Sequence, residues 1–198
     1  MSLRIDLDDF PAPARAFEQS GPARVVLGGG CFWCTEAVFL QLDGVSAVVS
    51  GYAGGDAAHA NYDSVCSGMT DHAEVIAVDY DSDRINLADI LKVFFSVAHD
   101  PTHKDRQGND RGRQYRSVVF FDNDALKTYV ADYMAQLEAA HVYTDAIATT
   151  LEPLTTFYPA EDYHQDFANR NPTQPYVRFA AMPKVEKLRQ HYPEKMKS

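Results

Sequence analysis

The chain is 198 residues long, 45% hydrophobic and 12% aromatic, which allows one compact domain with its own core and excludes a disordered polymer. Acidic residues outnumber basic ones by 28 to 18, and the formal net charge of -10 weighs against nucleic acid and anionic membrane as partners. Three cysteines do not make a disulfide framework in a chain of this size, so in a reducing compartment they are structural, metal-binding or catalytic.

Residues 1–22, rich in Pro, Ala and Asp, are expected to form an extended arm, with residues 23–198 as a single domain. Asp6, Asp8 and Asp9 stand where a secretory signal needs positive charge, and no apolar stretch follows them. No apolar run approaches the roughly 20 residues that span a bilayer. The expectation is a cytoplasmic protein. A buried strand is expected over 24–27, entering a tight turn at Gly28-Gly29-Gly30. The spacing of Phe32, Ala37, Val38, Leu40 and Leu42 predicts a helix over 31–42, stopped by Gly44. Strands follow at 45–52 and 73–80, the second with Val75 and Ala77 alternating with Ile76, Val78 and Tyr80. Asn86 can cap a helix running to His99, striped by Leu87, Ile90, Leu91 and Phe94. A strand at 117–121, a long amphipathic helix at 124–141, a weaker strand at 151–154 and helices at 161–169 and 183–191 complete the chain. Without strict βαβ alternation, this predicts an α+β fold: a mixed or antiparallel sheet with packed helices.

The segment Gly28-Gly29-Gly30-Cys31-Phe32-Trp33-Cys34-Thr35-Glu36 carries the chemistry. Glycines let the backbone turn sharply into the helix. Cys31 then sits at the positive end of the macrodipole, beside unsatisfied N–H groups that favour thiolate. Phe32 and Trp33 would wall the sulfur. The bland alternative is a buried cysteine among core aromatics, but a glycine-rich turn is a poor place to bury one.

Cys31 and Cys34 lie one helical turn apart, which permits dithiol redox chemistry. Zinc is disfavoured, because no second CxxC exists and Cys66 with His72 is not a usual ligand spacing. A dinucleotide fingerprint fails where Trp33 replaces the third glycine of GxGxxG. A papain-like protease would use His164 and Asn171 downstream, yet it needs Trp directly after the nucleophile, and Thr35 follows Cys34.

Gly30-Cys31-Phe32-Trp33-Cys34-x-Glu36 resembles the signature of the peptide methionine sulfoxide reductase A family. The likeness continues through Gly51-Tyr52-Ala53-Gly54-Gly55, Tyr62-x-x-Val65-Cys66-Ser67-Gly68 and His72-Ala73-Glu74. It runs on through His99-Asp100-Pro101, Arg106-Gln107-Gly108-Asn109-Asp110 and Gln114-Tyr115-Arg116-Ser117, and ends at Tyr158-Pro159-Ala160-Glu161-Asp162-Tyr163-His164-Gln165. These blocks stand in family order over roughly residues 24 to 175.

The resemblance implies a ferredoxin-like core, with the catalytic cysteine at the N-terminus of the first helix and residues 23–198 as the catalytic domain. It implies reduction of the S epimer of methionine sulfoxide, protein-bound and free, in the repair of oxidised proteins. By it, Cys31 is the nucleophile and Glu74 the general acid, protonated through desolvation. Tyr52 and Tyr115 hold the sulfoxide oxygen, Asp110 is a further polar group of the site, and Phe32 and Trp33 receive the S-methyl group. Cys31 ends as a sulfenic acid, which condenses with a second thiol. Outside the family context, Glu74 reads as a solvated strand-edge charge, Tyr52 as a packing residue and the 104–116 segment as a solvated loop. His164 reads as structural.

Family members that resolve the sulfenic acid with C-terminal cysteines have no counterpart here, since no cysteine follows Cys66. Cys34 is the first choice as resolving thiol, giving a Cys31–Cys34 disulfide reduced by thioredoxin. Cys66 is expected to be buried and structural, and direct reduction by an external thiol is the third route. No metal or organic cofactor is expected. A general disulfide oxidoreductase and a non-catalytic reader of oxidised methionine are the readings from other classes.

Overall fold

The computed structural model describes residues 2–197. In chain order its elements are β1 (Pro22–Gly29), α1 (Phe32–Phe39), β2 (Val45–Ala53), α2 (Tyr62–Cys66), β3 (Ala73–Asp81), α3 (Leu87–Val93), β4 (Arg106–Gln107), β5 (Asp110–Arg111) and β6 (Ser117–Phe121). After these come α4 (Asp124–Ala139), β7 (Thr150–Pro153), β8 (Phe157–Pro159), α5 (Phe167–Arg170) and α6 (Met182–His191). The result is the expected α+β architecture. A six-stranded sheet runs β7-β6-β1-β3-β2-β8, antiparallel except for the parallel β6–β7 pair, and β4–β5 form a small hairpin.

Period-2 burial decides what each face of the sheet meets. Along β3, Ile76, Val78 and Tyr80 enter the larger core under the helices, while Val75 and Ala77 enter a smaller one with Val26, Val118 and Phe120. Alternation therefore points Glu74 toward the helix-covered face, where α1 begins. Asn86 caps α3 as read from the sequence, accepting from Asp89 N at 2.9 Å, and Asn123 caps α4, accepting from Leu126 N at 2.8 Å.

Several boundaries depart from expectation for local reasons. The first helix closes at Phe39 rather than Leu42. The helix from Asn86 leaves α geometry at Phe94, passes through one π-turn to Ala98 and stops before His99. His99 is extended and fully buried: Nδ1 donates to the Phe94 carbonyl at 3.0 Å, and Nε2 accepts from Ser117 Oγ at 2.6 Å. The helix expected over 161–169 is broken into a 3-10 turn, Asp162–His164, and α5, because Asp166 takes φ 51. Four elements went unread: α2 and β8, of five and three residues, and the two-residue strands β4 and β5 inside the segment read as a solvated loop.

The N-terminal segment carries one 3-10 turn, Leu7–Asp9, and buries Leu7 and Phe10 in the main core. Tyr133 donates its hydroxyl to the Pro11 carbonyl at 2.7 Å, and Gln136 Nε2 donates to that of Ala12 at 2.8 Å, so this segment straps α4.

Gly51 lies where β8 joins β2. A Cβ there would meet the Phe157 ring and stand 2.5 Å from the Tyr158 carbonyl oxygen. Gly51→Ala should lower unfolding free energy by about 1–3 kcal/mol, read from the urea midpoint at unchanged slope.

Candidate active site

The site begins where β1 ends. Gly30 has φ 86, and a Cβ on it would stand 2.6 Å from Gln107 Cβ, so only glycine fits the turn. Cys31 follows as the N-cap of α1, its carbonyl accepting from Cys34 N at 3.1 Å. The first helical amide, Phe32 N–H, donates to Glu74 Oε2 at 3.0 Å. A carboxyl group from the central strand thus occupies the helix terminus that the sequence offered to the sulfur.

Glu74 is 2% exposed, and burial pushes its carboxyl up to about 8, against the pull of the Phe32 amide. The solvated strand-edge reading of Glu74 is thereby corrected. The low-pKa reading of Cys31 is corrected as well. Burial, a hydrogen bond to Cys34 and the charge of Glu74 push the Cys31 thiol well up, and the Trp33 amide only partly opposes them. Cys34 moves the other way, drawn to about 7 by the hydrogen bond from Cys31, with the charge of Lys184 helping against burial. Of the two sulfurs, Cys34 is the one whose surroundings favour negative charge.

Cys31, Phe32, Trp33, Tyr62, Glu74, Asp110, Tyr115 and Tyr176 enclose a cavity of about 180 Å³. Six of the residues expected from sequence therefore meet in one place. Burial first, then the charge of Glu74, raises the Tyr115 phenol, which leaves it a neutral donor. Asp110 Oδ2 accepts from the Tyr176 hydroxyl at 2.5 Å. Beside this cavity runs a groove of about 590 Å³, mostly apolar, lined by Cys31, Cys34, Gln107, Asp110, Pro175, Tyr176, Phe179 and Lys184 among others. Cys34 is 2% exposed and lies at its base.

Tyr52 departs from expectation. It does not line the cavity: its ring packs on Phe32 at 5.8 Å and its hydroxyl donates to Glu161 Oε2 at 2.8 Å. The other oxygen of Glu161 accepts from Tyr62 N at 2.9 Å, so Tyr52 acts through Glu161 on the residue that does line the cavity. Cys66 departs too. It is half-buried, not core, and its thiol is within hydrogen-bonding reach of the Tyr62 and Tyr115 hydroxyls.

The Trp33 wall is built from behind. Its indole stacks on Phe167, with centroids 3.7 Å apart and planes at 7°, and Nε1–H donates to His164 Nδ1 at 3.0 Å. His164 is buried and held neutral by burial, a structural histidine as read. Phe167 is placed by Glu36, whose carboxyl accepts from Asp166 N at 3.0 Å and Phe167 N at 3.3 Å and fixes the left-handed Asp166 turn. Tyr62, Tyr176, Glu161 and Phe167 are site residues that sequence reasoning did not assign. Tyr62 and Glu161 lay inside quoted blocks, whereas nothing in the sequence marked Tyr176. Among the described residues, Asp6, Asp8 and His191 bring possible metal-ligand atoms within 4.8 Å of one another, and none of the three lines the cavity.

A family model described as "Peptide methionine sulfoxide reductase" matches residues 23–196. Peptide methionine sulfoxide reductase MsrA 2 of Synechocystis sp. is 46% identical over 194 residues, 98% of this chain and 88% of that protein. Peptide methionine sulfoxide reductase MsrA of Psychrobacter cryohalolentis is 51% identical over 174 residues, 88% of this chain and 98% of that protein. Among solved structures, reduced Mxr1 from Saccharomyces cerevisiae superposes with a TM-score of 0.70 at 34% identity, covering 83% of this chain and 94% of that one. Mxr1 in complex with Trx2 gives a TM-score of 0.51 at 27% identity, covering 81% and 94%.

The buried carboxyls set the pH dependence of stability. Burial lifts Glu74 from its ordinary 4.5 to about 8 and Glu36 to about 7, so the folded chain keeps protons the unfolded chain loses. Stability contributed by these groups is present at low pH and is lost as pH rises through about 7 to 8. Glu74→Gln removes one of the two titrations. Its urea midpoint should therefore fall less than that of wild type between about pH 5 and about pH 9, and an equal fall in both proteins would contradict the assignment.

Proposed function

The chain belongs to the peptide methionine sulfoxide reductase family, and from that premise we propose that it reduces the S epimer of methionine sulfoxide, in proteins and as the free amino acid, through a Cys31 sulfenic acid. It is an oxidoreductase of thiol type. The observation that carries the reading is Cys31 at the wall of an aromatic cavity that also holds a buried carboxyl near its proton-giving range.

In this reading the substrate S-methyl group rests on Phe32 and Trp33, and its oxygen points at Glu74 and the Tyr115 hydroxyl. With its carboxyl raised to about 8, Glu74 is mostly protonated at neutral pH and supplies the proton that sulfoxide oxygen needs. Cys31 must lose its own proton to attack. The base at hand is Cys34, hydrogen-bonded to it and lowered to about 7. Cys31 attacks the substrate sulfur, the oxygen ends on Cys31 as S–OH, methionine leaves, and Cys34 is left as thiol. Tyr52 is a positioning residue, holding Glu161 and through it Tyr62. Asp110 borders the cavity and is given to Tyr176.

Cys34 then resolves the sulfenic acid as a Cys31–Cys34 disulfide, which thioredoxin reduces. Support comes from the helical spacing, the shared groove and the Mxr1–Trx2 complex. No metal or organic cofactor enters this scheme. A second reading of recycling is favoured by one observation, the Cys66 thiol facing the Tyr62 and Tyr115 hydroxyls, which brings it to the rim of the same cavity. The order β6-β1-β3-β2, all antiparallel, with α1 and α3 as crossovers, supports the ferredoxin-like core. Residues 23–198 are read as the catalytic domain, residues 1–22 as its arm, and the cytoplasm as the location. No described helix is long and apolar enough to cross a membrane.

Turnover of dabsylated methionine sulfoxide with dithiothreitol should consume the S epimer alone, and Cys31→Ser should abolish it. Glu74→Gln should retain Cys31 alkylation but lower kcat by roughly 100-fold or more. Turnover of neither epimer by wild type would sink the assignment.

After one turnover without reductant, peptide mapping by mass spectrometry should find Cys31 joined to Cys34. A Cys31–Cys66 bridge would transfer the resolving role to Cys66, and an unpaired Cys31 sulfenic acid would leave reduction to an external thiol.

A further inference from the structure

The attack on sulfoxide leaves Cys34 with a problem. Having taken the Cys31 proton, it is a thiol again when it must become a nucleophile, and it is 2% exposed, so bulk water is a poor base for it. One feature of the groove answers this need. The Cys34 thiol donates to the Tyr176 hydroxyl oxygen at 3.8 Å, and the Tyr176 hydroxyl donates in turn to Asp110 Oδ2 at 2.5 Å. An unbroken hydrogen-bonded line therefore runs from the buried sulfur to a carboxylate beside both the cavity and the groove. Burial, then charge on Cys31 and Cys34, hold the Tyr176 phenol far above its usual range, so it passes a proton on rather than ionising. Lys184 faces Cys34 with positive charge from the same groove, which favours the thiolate as it forms.

We propose that Tyr176 is a catalytic proton relay for the second half-reaction: it accepts the Cys34 thiol proton while handing its own to Asp110, freeing Cys34 to attack the Cys31 sulfenic acid. The inference rests on the reading of Cys34 as resolving thiol. In the step itself the Cys34–Cys31 S–S bond forms and the Cys31 S–O bond breaks. Cys34 is oxidised as the Cys31 sulfenic sulfur is reduced to the disulfide level. Hydroxide departs and takes up a proton to become water, and Asp110 gives the proton it received to solvent. The net change is one thiol and one sulfenic acid going to one disulfide and one water, with no further oxidant. Tyr176 touches a reacting atom. Asp110 acts through it and is a positioning residue for this step.

The test is a single turnover of S-methionine sulfoxide by the full chain without reductant, quenched over time into dimedone to trap sulfenic acid, with free thiols counted in parallel. Wild type should pass through sulfenic acid briefly and lose two thiols. In Tyr176→Phe the sulfenic acid should accumulate and the disulfide should close roughly 100-fold more slowly near neutral pH, with the deficit shrinking as pH rises and hydroxide replaces the relay. Asp110→Asn should slow the same step and provides the second variant should Tyr176→Phe fail to fold. If Cys34→Ser forms the dimedone-trapped sulfenic acid but no disulfide, while Tyr176→Phe closes the disulfide at the wild-type rate, the relay is overturned and the resolving role of Cys34 stands. If Cys34→Ser still closes a disulfide at the wild-type rate, the resolving role falls and the relay with it.

Discussion

The hydrogen bond from Phe32 N to Glu74 Oε2 ties the first turn of α1 to the central strand, and the rest of the site is arranged around it. A helix start has free amides and a partial positive charge, and a buried carboxyl is among the few groups that can meet both. Glu74 reaches that point because alternation along β3 turns it to the same face as Ile76, Val78 and Tyr80. The same bond fixes the position of Cys31 one residue earlier. Any account of the sulfur has to begin from the fact that its helix end is already shared with an acid.

That sharing explains how charge is distributed. With the first amide taken and the surroundings apolar, a thiolate on Cys31 gains too little to offset its desolvation, and the acid beside it opposes ionisation further. One turn on, Cys34 has the hydrogen bond from Cys31 and the charge of Lys184 to support its own. A nucleophile kept protonated until substrate arrives is guarded from stray oxidation, since reactivity toward oxidants follows thiolate character. In the proposed reaction the neighbouring sulfur supplies the missing base, and the CxxC spacing then serves proton transfer as well as disulfide formation.

Much of this was legible in the sequence, and the parts that were not share a physical cause. The strands at 45–52, 73–80 and 117–121 and the helix at 124–141 carry enough periodic residues to declare themselves, and the Asn86 cap of α3 is a local signal. α2 and β8 are too short to show a period. The 161–169 segment has helical composition, but Glu36, 130 residues away in sequence, captures the Asp166 amide and holds a left-handed turn there. No window of sequence contains that competition. In the site, Cys31, Phe32 and Trp33 were readable because the glycine turn puts them there, whereas Glu74 was reached through the family resemblance, since its burial depends on α1 packing over β3. Tyr52 shows the opposite case: its block is right, but whether its hydroxyl faces the cavity or Glu161 is settled by a contact across the fold. Tyr176 sits between two proline-punctuated stretches with nothing periodic around it, and it gains meaning only where it meets Cys34 and Asp110.

The long-range contacts also show why the wall of the cavity is stiff where it must be. Trp33 is held on one face by Phe167, at its edge by His164 and near its base by the helix that begins at Phe32. Phe167 is held by Glu36, which belongs to the same helix as Trp33. The chain therefore closes a loop: α1 presents the indole and, one turn later, the carboxyl that fixes the ring stacked against it. A side chain locked in this way forms a surface with little conformational entropy left to lose when a small apolar group binds. The sulfur, by contrast, faces an open groove. Rigidity stands on the aromatic wall of the cavity, and access lies along the groove that Cys31 and Cys34 share.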